Sequence, residues 1–110
     1  MLELWLPLGI GALYVVLGLP LMLGMVPRND LYGFRTEKTF SDPAIWYAAN
    51  RASGRALVIA GLAIAILARV VVDALDGLVP PPLLLIVNVG VLAAATALAV
   101  GYSVRVLRRL

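Results

Sequence analysis

The sequence predicts an all-α integral membrane protein with three transmembrane helices and a structured polar loop between the first and second. Three observations carry that prediction. The chain of 110 residues is 63% hydrophobic and 14% charged, whereas a soluble domain is nearer about 45 to 50% apolar. Three apolar segments approach or exceed the roughly 20 residues a helix needs to cross the hydrocarbon core. The polar residues are also concentrated. Residues 27–55, PRNDLYGFRTEKTFSDPAIWYAANRASGR, hold five of the nine basic residues, three of the six acidic ones and most of the aromatic side chains. The whole of 1–110 reads as one membrane domain.

The first span covers about residues 4–26. Pro7 lies near its start and Pro20 inside it, and each removes an N–H and crowds the preceding turn. Trp5 suits the membrane interface, and Gly9, Gly11, Gly18 and Gly24 carry little bulk, which lets another helix approach. Tyr14, mid-span, needs a partner for its hydroxyl. No basic region precedes the segment and no small-residue cleavage motif follows it, so it is expected to be a retained helix and not a signal peptide.

Pro27 is expected to end that helix, and Asn29, Asp30 and Gly33 to turn the chain back. Asp42 and Pro43 then read as the cap and first position of a second helix. From Pro43 to about Val72 this helix would be roughly 45 Å long, more than one hydrocarbon thickness. Its crossing part is taken as residues 56–72, with a helical extension from 43. Arg69 is expected to snorkel to the interface and to pair with Asp73 four residues on. Pro80, Pro81 and Pro82 stiffen the next connection. The third span, residues 83–104, carries Asn88 well inside and small residues at Gly90, Ala93, Ala94, Ala97 and Gly101. Asn88, Arg69 and Tyr14 are the candidates for an intramembrane polar site.

Composition also excludes. With no cysteine and no histidine, disulfides, thiolate chemistry and imidazole ligation or catalysis are ruled out. Asp30, Glu37 and Asp42 are scattered in a way that fits no metal or acid/base spacing, so no metal, no cofactor and no enzymatic activity are expected. The net charge of +3 comes from basic residues that flank apolar segments. They report membrane orientation and not nucleic-acid binding. Arg28, Arg35, Lys38, Arg51, Arg55, Arg105, Arg108 and Arg109 share one side in a three-span topology, against Arg69 alone on the other. The polar loop and C-terminus are therefore expected in the cytoplasm, and the N-terminus outside.

Within the loop, Trp46 and Tyr47 suit the bilayer boundary, while Asp42, Trp46, Asn50 and Gly54 recur every four residues along one drifting helical face. Arg35, beside a glycine turn, has the donor geometry to grip a carboxylate, a phosphate or a carbonyl cluster. Equally, Arg35 and Asn50 can lock the loop to the second helix.

The series Pro27, Asn29, Tyr32, Gly33, Phe34, Arg35, Thr36, Thr39, Trp46, Asn50 and Gly54 closely resembles the signature of the SdpI family of bacterial membrane proteins. What that resemblance implies is a protein of the bacterial cytoplasmic membrane. Its best-known relative confers immunity to a secreted killing peptide and helps relay the peptide's presence by sequestering a repressor. Two functional expectations follow. One is non-enzymatic protection against, or sensing of, a membrane-active peptide, with the lipid bilayer, a toxin peptide or a regulatory protein as partner. The other is a homo-oligomeric small transporter or channel, since three helices alone enclose no polar route.

Overall fold

The computed structural model describes all 110 residues. It contains four helices: α1 (Leu2–Met22), α2 (Glu37–Ser41), α3 (Pro43–Leu75) and α4 (Pro81–Arg109). α1, α3 and α4 are each long and apolar enough to cross a membrane, and the fold is all-α. The molecule measures 53 × 22 × 18 Å, so its long axis exceeds the hydrocarbon core of about 30 Å. The excess belongs mainly to α3, whose 33 residues reach about 50 Å. The loop and α2 pack against its N-terminal turns.

Each boundary has a local cause. α1 stops at Met22 and not near Val26, because the stop signal is Gly24 and not Pro27. Gly24 takes a φ of +70°. The Met25 N–H reaches back to the Pro20 carbonyl, and the Gly24 N–H to Leu21. These two bonds are the Schellman pattern that satisfies the last carbonyls of a helix. α3 starts as its sequence indicates: the Asp42 carboxylate accepts the Ala44 N–H at 2.7 Å, and Pro43 occupies the first turn, where its missing N–H costs nothing. α3 runs to Leu75 and α4 begins at Pro81, which leaves a tight turn through Gly77, whose φ is +78°.

α3 is the central helix and packs on both α1 and α4. The α1–α3 seam is built on two pairs of glycines. A methyl carbon at Gly11 would lie 2.6 Å from the Gly61 carbonyl oxygen, and one at Gly18 would lie 2.7 Å from the Gly54 carbonyl oxygen. No real Cβ tolerates those separations. Gly11 and Gly18 are seven apart on α1, and Gly54 and Gly61 are seven apart on α3. Two heptad-spaced notches thus meet in an antiparallel pair, and the backbones come together where lipid offers no hydrophobic drive for helix association. Gly9 has open space around it, so of the three α1 glycines two form the seam, and Gly24, just beyond the helix, forms its stop.

The α1–α4 contact is thinner and is held by polar groups. The Tyr14 hydroxyl bonds the Thr96 hydroxyl at 2.8 Å. Asn88 Nδ2 donates to the Glu3 carbonyl at 2.7 Å. Pro7 has no N–H to offer that carbonyl four residues earlier, so Asn88 supplies from α4 the bond that α1 lacks.

Replacing Gly18 or Gly54 with Ala should destabilise the bundle by about 1 to 3 kcal/mol through backbone overlap. Gly90→Ala and Gly101→Ala, where a methyl meets nothing within 4 Å, should be neutral or slightly stabilising. Unfolding midpoints in detergent compare the two groups. A double-mutant cycle tests the α1–α4 bond. Asn88→Ala should cost about 0.6 to 1.7 kcal/mol in the native background and less in Pro7→Ala, where an N–H returns to the Glu3 carbonyl.

Candidate functional site

Residues 23–36 lack regular secondary structure and so depend on side chains to satisfy their backbone. Asn29 organises the first half. Its Oδ1 accepts the N–H groups of Leu31 and Tyr32 at 2.9 and 2.7 Å, and its Nδ2 donates to the carbonyls of Pro27 and Tyr32 at 2.8 and 3.0 Å. A single amide thus makes four bonds, the full capacity of the group. Arg35 donates to the Asp30 carbonyl across the same turn, and the Tyr32 hydroxyl donates to the Leu17 carbonyl of α1.

Asn50 fastens the second half. Its Oδ1 accepts the Phe34 N–H at 2.6 Å, while Nδ2 donates to the Phe34 carbonyl at 3.3 Å and to the Trp46 carbonyl at 2.9 Å. The side chain imitates a strand partner for Phe34. Gly33 lets the loop come this close: its φ is +115°, and a methyl there would stand 2.7 Å from Asn50 Oδ1. Trp46 is fully buried, donates from Nε1 to the Val26 carbonyl at 3.0 Å, and stacks on Phe40 at a centroid distance of 5.6 Å. The expected place for Trp46 at the bilayer boundary is therefore corrected: the ring is a post beneath the loop.

α2 is a single capped turn. The Thr36 hydroxyl accepts the Thr39 N–H at 3.1 Å, and the buried Thr39 hydroxyl accepts the Thr36 N–H at 2.7 Å, a reciprocal capping box. Arg28 reaches the Phe40 carbonyl at 2.6 Å and Lys38 the Leu107 carbonyl at 2.8 Å. The second bond joins the loop to the last turn of α4, where a cation also complements the helix dipole.

The polar groups of the motif series are thus spent on the loop's own backbone and on neighbouring helices. Gly54 belongs to the α1–α3 seam. Phe40, Arg28 and Lys38, which sequence reasoning left out of the site, complete the network, and α2 is an element that the sequence reading did not expect. Tyr32, Gly33 and Phe34 roof a cleft of about 350 Å³ between α1, α3 and α4. Leu17, Leu21, Leu57 and Val100 line it, with Ser53 of α3 among them. Among its hydroxyls, Thr96 and Ser103 donate to carbonyls of their own helix. The interior is therefore apolar and suits a hydrocarbon group over an ion. Desolvation raises the Tyr32 phenol above its ordinary value of 10.0, which keeps it a donor to Leu17.

Asn88, Arg69 and Tyr14 do not converge on one intramembrane site. Asn88 is bonded to Glu3 and Tyr14 to Thr96, and Arg69 makes an exposed ion pair with Asp73 at 3.0 Å near the end of α3. Asn88 Oδ1 is buried without a protein partner.

Three membrane-crossing helices with a side-chain-locked loop between the first two define a small multi-pass membrane protein. The chain belongs to the SdpI/YfhL protein family, which it matches over residues 25–103. That span takes in the loop, α2, α3 and most of α4. A relative from Bacillus subtilis (strain 168), named "Uncharacterized protein YfhL", is 37% identical over 57 residues, covering 50% of this chain and 51% of the relative. The match thus spans about half the length of that relative. No solved structure matches.

Asn50→Leu should strip the Phe34 N–H and carbonyl of their partners, at about 1 to 3 kcal/mol for each group left buried and unpaired. Amide exchange across 29–36 should then accelerate by tenfold or more, by the usual relation of about 1.4 kcal/mol per decade, while the middle of α4 stays protected. Arg35→Lys, which keeps one donor for the Asp30 carbonyl, should change exchange much less.

Proposed function

We propose that this chain is a non-enzymatic membrane protein of the immunity type, which protects against or senses a membrane-active peptide. One observation carries the reading. The motif residues hold a loop rigidly over an apolar cleft, and their polar groups are engaged in that loop instead of converging on a reacting centre. A rigid roof over an apolar recess is suited to take a hydrophobic side chain or segment of a peptide that already partitions into the bilayer, because little conformational freedom is lost on binding. The family membership supports the membrane setting. The excess of basic residues at the loop end supports a cytoplasmic loop and C-terminus, with the N-terminus outside. In that orientation the exposed face of the loop is the part available to a regulatory protein.

A homo-oligomeric transporter or channel is a second reading, favoured by one feature of α4. Gly90, Ala94, Ala97 and Gly101 fall on one outward face, and Gly90 and Gly101 have open space above them. Such a stripe suits close packing of a second copy. A polar route would then need surfaces other than Asn88, Tyr14 and Thr96, whose bonds lie within one chain.

The two readings separate in a deletion strain challenged with a broad panel of membrane-active peptides. The first expects greater sensitivity to at least one peptide, restored by the native gene but not by Ser53→Leu, which fills the cleft and should reach the membrane at native level. Unchanged sensitivity across the panel, in a parent strain that expresses the protein, would sink it. Monomer alone in native-detergent mass measurement would remove the second.

A further inference from the structure

A second cleft, of about 380 Å³, runs between α3 and α4 on the flank away from α1. Its floor is alanine from both helices: Ala56, Ala60 and Ala63 on α3, Ala95 and Ala99 on α4. Arg55 and Tyr102 stand at its mouth. From Arg55 to Ala63 the cleft descends about 12 Å at 1.5 Å per residue, close to half of a hydrocarbon core of about 30 Å. It therefore covers most of the depth of one leaflet.

The chemistry of the mouth is specific. Arg55 Nη2 donates to the Tyr102 hydroxyl at 3.1 Å, so the phenol oxygen accepts and its own proton remains free to donate. Arg55 is exposed and takes part in neither of the ion pairs of the chain. The remaining guanidinium donors and the phenol proton thus face the same opening, and no carboxylate lines the cleft. Arg105 and Arg109 follow Tyr102 at i+3 and i+7, on the same side of α4.

We propose that this cleft holds one acyl chain of an anionic phospholipid, with the lipid phosphate on Arg55 and Tyr102. Arg55 offers a planar fork that matches two phosphate oxygens. The alanine floor admits a chain that larger residues would displace. Net negative charge is selected because Arg55 is the one charged side chain lining the cleft, and because no acidic side chain lines it to accept the ammonium of a zwitterionic headgroup. Charge also argues against a second copy in this cleft. Two copies in one membrane orientation would bring their Arg55 ends together, and like charges repel.

The test is native mass spectrometry of the full chain, delipidated in detergent and titrated with phosphatidylglycerol or phosphatidylcholine of equal acyl length. Phosphatidylglycerol should bind about fivefold more tightly, as expected for one basic side chain acting on an anionic headgroup. Arg55→Gln, a change at an exposed side chain, should abolish that preference, and Tyr102→Phe should reduce it. Arg108→Gln, about a third of a turn around α4 from Tyr102, should leave it intact. Ala63→Leu, at the deep end, should weaken both lipids. Equal binding of the two lipids, or a preference that survives Arg55→Gln, would overturn the proposal. So would inorganic phosphate that displaces neither lipid yet binds Arg55 as tightly as they do, or a native dimer that Ala63→Leu dissociates, which would put a second copy in the cleft.

Discussion

The close approach of α1 to α3 is the constraint on which the rest depends. Gly11 against Gly61 and Gly18 against Gly54 bring carbonyl oxygens to distances that no side-chain carbon permits. In lipid, where apolar surfaces gain little by meeting each other, such contact density is what holds helices together. It also places the C-terminal turn of α1 beside Gly54, one turn below Asn50. The chain leaving α1 must then reverse within the short reach between Gly24 and Phe34, and the positive φ at Gly24 and Gly33 makes that reversal without strain.

A reversal so tight leaves backbone groups that no helix or sheet can satisfy, and this explains the loop's residue types. Asn29 and Asn50 each carry donors and an acceptor on one short side chain, and each closes a local backbone ring. Trp46 contributes bulk and one N–H, and Phe40 covers its face. Lys38 and Tyr32 extend the network to α4 and α1. The loop is therefore a fixed part of the bundle. The two clefts follow from the same geometry: α4 lies against the side of α3 away from the glycine seam, touches α1 lightly, and leaves a recess on each flank.

The spans were legible because a bilayer-crossing helix is written in length and apolarity alone. The Asp42 cap and the Arg69–Asp73 pair were legible because both are local, within two and four residues. The end of α1 was misplaced because Pro27 is the louder signal, while a glycine at the C-terminal stop looks in sequence like any other membrane glycine. Trp46 was assigned to the interface because an aromatic near a span end usually sits there; its burial depends on Phe40 and on the carbonyl of Val26, both supplied by chain reversal. Asn88, Tyr14 and Arg69 shared only their polarity in sequence. Their partners, residues 3, 96 and 73, show three unrelated roles, and the link from Asn88 to Pro7 becomes visible only when α4 is laid beside α1.

The pairing of Asn88 with the Glu3 carbonyl and of Tyr14 with Thr96 has an electrical consequence. Both clasps are neutral, and the apolar stretches of α1, α3 and α4 between Leu4 and Met22, Ala56 and Ala68, and Leu83 and Val104 contain no carboxylate, amine or guanidinium side chain. The transmembrane voltage does work of about 2.3 kcal/mol per elementary charge per 100 mV only on charge that moves through the field. The two clasps therefore give the field no charge to act on within the hydrocarbon. The bundle is held by contacts that an energised and a de-energised membrane leave equally strong.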